Sequence, residues 1–195
     1  MNTKIASIIA TIRQLEGDLE AELAHRRLEL AYTVDHGKVV FTEHVLKHHK
    51  QLRSPWLGYL LEARPLIVLT APLIYSMVIP FALLDAFVSA YQLVCFPVYG
   101  IPVVRRRDYL IFDRSQLAYL NLFERFNCSF CSYGNGVISY VREVAGRTEQ
   151  YWCPIKHSRR IVGAHDRYNA FADYGDAEAY NQELVELRKK LNSGE

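Results

Sequence analysis

The chain has 195 residues, half of them hydrophobic and 23% charged, with a formal net charge of +2. This composition excludes a globally disordered protein, and the small net charge argues against a nucleic-acid binder driven by bulk charge. Four cysteines are too few for a small disulfide scaffold.

Residues 1–54 form the first predicted segment, which is mainly helical. Hydrophobic residues recur at alternating spacings of three and four, which places them on one stripe of a helix. The stripe consists of Ile5, Ile8, Ile12, Leu15 and Leu19. Residues 35–37 predict a break, followed by a second helical stretch that includes Val39 and Val40. The amphipathic helix either packs on the rest of the chain or pairs with itself as a coiled coil.

Residues 55–104 form the second segment, which is dominated by uncharged residues. Residues 66–84 and 86–104 both lack charge, and each is long enough for a bilayer-spanning helix of about 20 residues. One straight helix through both would be about 60 Å long, twice the thickness of a hydrocarbon core. The segment therefore predicts a membrane-embedded helical hairpin, with the reversal at Ile79 and Pro80. Two short spans, or one span followed by an interfacial helix, are the alternatives.

Charged residues near this block indicate its orientation. Basic residues lie on both sides of it, at Lys47, Lys50, Arg53, Arg64, Arg105, Arg106 and Arg107. Positive flanks mark cytoplasmic ends, so we expect both termini on the cytoplasmic side of the membrane. Asp85 is the only formal charge within residues 65–104. If the chain turns at residues 80–85, this carboxylate lies at the far interface and is solvated.

Residues 105–165 form the third segment, a small helical module with a cytoplasmic location. One helix is expected to end near Phe126, and a second to run over residues 137–150. Gly134 and Gly136 are expected to bracket the turn between them. The fourth segment, residues 166–195, predicts a polar tail that ends in a helix over residues 177–191, capped by Asp176.

Four residues of the third segment have the spacing of a metal site. They are Cys128 and Cys131 in a C-x2-C pattern, and Cys153 and His157 in a C-x3-H pattern. Three thiolates and one imidazole complete a tetrahedral zinc shell without an open position, which predicts a structural zinc ion. A [2Fe–2S] cluster on the same ligands is the alternative, since the C-x3-H half resembles the end of the CDGSH-type iron–sulfur proteins.

Catalytic motifs are scarce in this sequence. His44, His48 and His49 resemble one histidine box of membrane di-iron desaturases, but the chain has no second box. These histidines are interpreted as part of a basic helix facing solvent or lipid headgroups. No phosphate-binding loop, dinucleotide fingerprint or nucleophile elbow is present. A non-enzymatic function is therefore favoured.

Residues 55–175 resemble an uncharacterised family of bacterial membrane-associated proteins with a CxxC…YWCPIKH pattern. The matching residues are those at 126–128, 133–136 and 147–157. The resemblance implies a bacterial inner-membrane setting and implies no activity.

The sequence thus predicts a mainly α protein: a membrane-anchored, zinc-binding adaptor or assembly factor. Its expected partners are the lipid bilayer, a protein of unknown identity and, through the N-terminal helix, a second copy; nucleic acid is not expected. A membrane-bound iron–sulfur redox protein is one alternative. A membrane-interface enzyme acting on lipid, through Asp85 or the histidines, is another.

Overall fold

A computed structural model describes residues 3–35, 38–55, 58 and 64–193. It is mainly helical, with 72% of residues in helices, which confirms the predicted class. The chain divides into two compact units. Unit 1 comprises Met1–Tyr59 and Asp113–Arg125, and unit 2 comprises Leu60–Phe112 and Phe126–Glu195. This division differs from the four predicted segments, because residues 113–125 group with the N-terminal region.

Helices α1 (Thr3–Glu29) and α2 (Glu43–Gln51) and a small β-hairpin lie in the described part of unit 1. Between them, β1 (Tyr32–Asp35) pairs antiparallel with β2 (Lys38–Phe41). The prediction of helix at Val39 and Val40 was wrong. These side chains are β-branched and pair across the hairpin with Val34 and Thr33, an arrangement that suits their restricted χ1 angle. Residues 36 and 37 lie outside the described part.

Unit 2 begins with a long apolar helix in two parts. Helix α3 spans Pro65–Ser76 and helix α4 spans Val78–Tyr99. Met77 joins them with φ −61° and ψ −15°, which is still right-handed helical backbone. Pro80 cannot donate a hydrogen bond to Ser76 one turn earlier, which accounts for the interruption. We call Pro65–Tyr99 the apolar helix.

Helix α5 spans Leu122–Trp152 without a break. The predicted turn at Gly134 and Gly136 is therefore wrong. Both glycines lie inside the helix, where neighbouring parts of unit 2 approach closely. A Cβ on Gly134 would lie 2.9 Å from the Phe81 ring, and one on Gly136 would lie 2.8 Å from the carbonyl oxygen of Tyr109. These glycines serve close packing instead of chain reversal.

The apolar helix and α5 run parallel and side by side. At one end, the Tyr75 hydroxyl donates to Asn127 Oδ1 at 2.6 Å. At the other end, the Tyr99 and Tyr151 rings stack with centroids 5.4 Å apart. Partners thus advance together along both helices, and the expected reversal at Ile79 and Pro80 is not found.

Residues 100–112 return the chain along this helix pair. Gly100, at φ +70°, ends α4 in the left-handed region that glycine adopts without strain. The returning residues fill the groove between the two helices and contribute to one hydrophobic core. The buried core residues are Phe96, Ile101, Val104, Leu110, Val137, Tyr140, Val144 and Leu191.

Helix α6 spans Ala177–Ser193 and confirms the predicted C-terminal helix. Asp176 caps it as expected, since its Oδ1 accepts a hydrogen bond from the backbone N–H of Ala179 at 2.9 Å. Leu187 and Leu191 are buried, and the Gln150 side chain donates to the Leu187 carbonyl. The C-terminal helix is therefore part of the unit 2 fold.

Candidate membrane-contacting surface

The apolar helix is the only helix in the described part of the chain that is long and apolar enough to cross a membrane. Its 35 residues would extend about 52 Å at the rise of an α-helix. The hydrocarbon core of a bilayer is about 30 Å thick, so the helix is much longer than one perpendicular crossing requires.

One face of the apolar helix is exposed and hydrophobic from end to end. We call it the outward face. Representative exposed residues are Leu69, Leu73, Leu83, Phe87, Val94 and Val98. Leu69 keeps 75% of its surface and Val98 keeps 76%, so none of the described residues covers either end of this face. Continuous exposed apolar surfaces of this kind mark sites of contact with a membrane or a protein.

The opposite face of the same helix carries its carboxylate and its amide. Asp85 and Gln92 are buried against α5 and the returning segment. Gln92 pairs with the backbone of Val104, donating to its carbonyl at 3.2 Å and accepting from its N–H at 3.0 Å. Its amide also donates to the hydroxyl of Tyr140, which is fully buried. Pairing lowers the cost of burying these polar groups.

Asp85 forms the strongest polar contact of this face. The Arg106 guanidinium donates to both carboxylate oxygens, from Nε to Oδ1 at 2.8 Å and from Nη2 to Oδ2 at 2.6 Å. Tyr133 donates to Oδ2 at 3.1 Å. The interpretation of Asp85 as a solvated carboxylate at a far interface was wrong, because the parallel helices and returning segment enclose it.

The polarity of the apolar helix is thus the reverse of that in a water-soluble domain. Hydrophobic side chains face outward, and the carboxylate and amide face inward toward protein partners. Ionisable groups on membrane-embedded helices face the protein interior in the same way, because lipid offers them no hydrogen bonds. The outward face can therefore contact acyl chains without exposing a polar side chain of this network.

The four predicted metal ligands do not come together. Cys128 and Cys131 lie in α5, one turn apart, while Cys153 follows the last residue of the same helix. At about 1.5 Å per residue, Cys153 lies roughly 33 Å beyond Cys131 along the axis. Tetrahedral zinc needs its donors about 2.0–2.3 Å from the ion. In the described residues, no group of three histidine, cysteine or acidic side chains could hold a metal.

The predicted histidines have other surroundings. Tyr168 packs on the His157 ring, and its hydroxyl accepts a hydrogen bond from the His157 backbone N–H at 2.6 Å. His44 and His48 are exposed on α2, in agreement with the basic-helix interpretation. His49 instead packs edge-on against Phe41 and Tyr119 within unit 1.

Sequence reasoning missed Arg106, Tyr133 and Tyr140 as partners of the apolar helix. One signal was available for Arg106, because the only charge in an uncharged block needs a counterion and an arginine triplet follows the block closely. No comparable signal identifies the tyrosines, since their contacts depend on the parallel packing of α5.

Comparisons with protein-family models, characterised proteins and solved structures found no match. Functional inference for this chain therefore depends on its own residues and geometry.

Proposed function

We propose that this protein is a membrane-anchored, non-enzymatic adaptor, with the outward face of the apolar helix as its anchor. The reversed polarity of that helix carries the proposal, because an exposed hydrophobic face 35 residues long favours contact with acyl chains. The setting expected from the family resemblance, the bacterial inner membrane, agrees with this anchor.

The packing of α5 favours an anchor that lies along one leaflet. Ionised residues in the second half of α5 accompany the apolar helix, among them Glu143 and Arg147, which pair at 2.8 Å. A perpendicular crossing of the whole helix pair would carry these charges into hydrocarbon at a cost of several kcal/mol. A helix in the interface plane avoids this cost and keeps both of its ends on the cytoplasmic side, in agreement with the basic flanks.

Helix α1 is the proposed partner-binding element. Its predicted stripe is exposed over residues 8–19, with Leu15 at 60% and Leu19 at 58% of their full accessible surface. An exposed hydrophobic stripe on a 27-residue helix fits a helical protein partner or a second copy of itself. The zinc site is left out of this proposal, because the fold separates its four ligands.

Flotation of the purified full chain with phospholipid vesicles tests the anchor. We expect Phe87→Glu combined with Val94→Glu to lower vesicle binding by a factor of at least about 100, since each carboxylate in hydrocarbon costs about 3 kcal/mol. Val162→Glu is the matched control, because Val162 is a 99% exposed hydrophobic residue outside the apolar helix. Equal flotation of all three proteins would contradict the anchor.

Protease protection tests the orientation. With epitope tags at both termini, an interface-plane anchor leaves both tags accessible on the same side of sealed vesicles. Protection of one tag only would show a single crossing and refute the in-plane arrangement. Sedimentation of the detergent-solubilised chain tests α1 separately. If α1 pairs with a second copy, Leu15→Glu with Leu19→Glu converts the oligomer to monomer.

A further inference from the structure

Unit 1 contains a cavity of about 540 Å³. It is open to solvent on one side and is lined by the end of α1, both strands of the hairpin, α2 and the segment at residues 113–119, all of which belong to this unit. Sites for small molecules have volumes of about 300–1,000 Å³ and are mostly apolar, with a few polar groups that fix orientation. The cavity has the size of such a site.

The lining of the cavity is mixed. Leu30, Val39, Phe41 and Leu117 offer no hydrogen-bonding group, whereas the other lining residues include two tyrosines and charged side chains. Transfer of each methylene of an acyl chain from water to the hydrophobic part of the lining is favourable by about 0.8 kcal/mol. This part of the lining therefore favours a hydrocarbon chain.

Two cationic side chains, Arg27 and Arg114, line the same cavity. Within the described residues, no carboxylate pairs with Arg27, whereas its neighbour Arg26 pairs with Glu29 at 2.8 Å. Asp113 is the one acidic lining residue, and its Oδ1 accepts a hydrogen bond from the backbone N–H of Arg114 at 2.7 Å. Among the described residues, Arg27 is therefore a lining cation without a carboxylate partner.

His49 is a further polar residue of the lining. Its Nδ1 is buried and has no hydrogen-bond partner among the described residues. Because this nitrogen has almost no accessible surface, it does not face the open cavity. The polar contact expected for a ligand is therefore Arg27.

We propose that this cavity binds a single-chain anionic amphiphile. The hydrocarbon chain lies against the hydrophobic part of the lining, and the anionic headgroup pairs with the Arg27 guanidinium, which matches the two oxygens of a carboxylate or a phosphate. This site is independent of the anchor, because it lies in unit 1 and the apolar helix lies in unit 2. Failure of vesicle binding would leave it intact.

Photocrosslinking locates such a ligand on the full chain. The probes are hexadecanoate, hexadecyl phosphate and hexadecanol, each with a diazirine in the chain, applied to protein in lipid nanodiscs. Mass spectrometry then maps the labelled peptides. We expect both anionic probes, or one of them, to label residues 27–41 and 113–119 in a saturable manner, and the alcohol to label them at least tenfold less. The better anion identifies the headgroup.

Variants separate this site from general lipid contact. Arg27→Ala should weaken labelling of the cavity about tenfold, and Arg27→Lys should restore part of it. Arg26→Ala is the matched control and should leave labelling unchanged, because Arg26 is outside the cavity lining. Labelling confined to the apolar helix, equal labelling by the alcohol, or an unchanged Arg27→Ala protein would each overturn the proposal.

Discussion

Two long helices of this chain differ in what surrounds them. Helix α1 has 27 residues and α5 has 31. No residue of α1 with described exposure is buried, whereas α5 buries residues on one face along most of its length, among them Val137, Tyr140 and Val144. Helix α1 nevertheless carries a stripe of hydrophobic residues at spacings of three and four, of which residues 8–19 are exposed. A hydrophobic pattern therefore identifies the helix face that is suited to burial. It does not show whether the covering surface belongs to this chain or to another molecule.

The glycines of α1 and α5 show the same contrast between an exposed helix and a packed helix. Gly17 in α1 has no atom within 4 Å of the position that a Cβ would occupy, while Gly134, Gly136 and Gly146 in α5 have neighbours at 2.8–2.9 Å. In an uncovered helix, glycine only weakens the helix. In a packed helix, it permits a close approach that no other residue allows.

Removal of Arg106 should have the largest effect on the packed region. Arg106→Ala leaves the Asp85 carboxylate, whose side chain is 10% exposed, without its cation. We expect the free energy of unfolding to fall by about 2–3 kcal/mol, measured by denaturant titration of the full chain in micelles. Arg107→Ala is the control, since that side chain is 80% exposed and should change stability by less than about 0.5 kcal/mol. Equal effects would mean that the Asp85 pair is not structural.

Gly136→Ala tests the close approach directly. The new methyl group would meet the Tyr109 carbonyl oxygen at 2.8 Å, and backbone cannot rotate away as a side chain can. We expect a loss of about 1–3 kcal/mol in the same titration. A stability equal to that of the unmodified chain would show that α5 and the returning segment are farther apart in solution.

Gly17→Ala should raise the stability of the protein, whereas Gly136→Ala lowers it. The methyl group meets nothing within 4 Å, and alanine favours the helix by about 0.5–1 kcal/mol. Helical content measured by circular dichroism should be retained to a higher temperature. Destabilisation would reveal a covered α1, packed by a second copy.

Substitution of two cysteines tests whether α5 is a continuous packed helix or part of the predicted zinc module. Cys128 is partly buried and Cys131 is exposed. We expect Cys128→Ser with Cys131→Ser to change the free energy of unfolding by less than about 1 kcal/mol. With a structural zinc site, elemental analysis of the unmodified chain would instead find about one zinc per chain. The variant would then lose that zinc and most of its fold.

The smallest effect is expected after α5, where Lys156 pairs with Asp173 at 2.8 Å. The hydrogen bond and the charge of Lys156 lower the pKa of Asp173 below its ordinary value of 3.8. A lowered pKa stabilises the fold above pH 3.8, and this stabilisation is lost as the pH falls further. Because Asp173 is 72% exposed, the contribution should be below about 1 kcal/mol. Asp173→Asn should reduce stability at pH 6 and not at pH 2.5.

Short-range sequence patterns predicted the elements that depend on composition, capping and residue spacing. The helical and apolar character of residues 65–99 follows from composition, although the reversal predicted within them was wrong. Helix α6 follows from the Asp176 cap and the spacing behind it. The continuous α5 and the separation of Cys131 from Cys153 were not predicted. Both depend on the parallel packing of two helices, which makes Gly134 and Gly136 contact residues instead of turn residues, and no short-range pattern encodes that choice.

Parallel packing also determines the order in which the apolar helix meets its polar partners during synthesis. Arg106 follows Asp85 by 21 residues, whereas Tyr133 follows it by 48. At about 5–20 residues per second, the ribosome adds the arginine roughly 1–4 s after the aspartate and needs more than twice that time to reach the tyrosine. The nascent chain can thus neutralise its buried carboxylate with its own returning segment before α5 has been made.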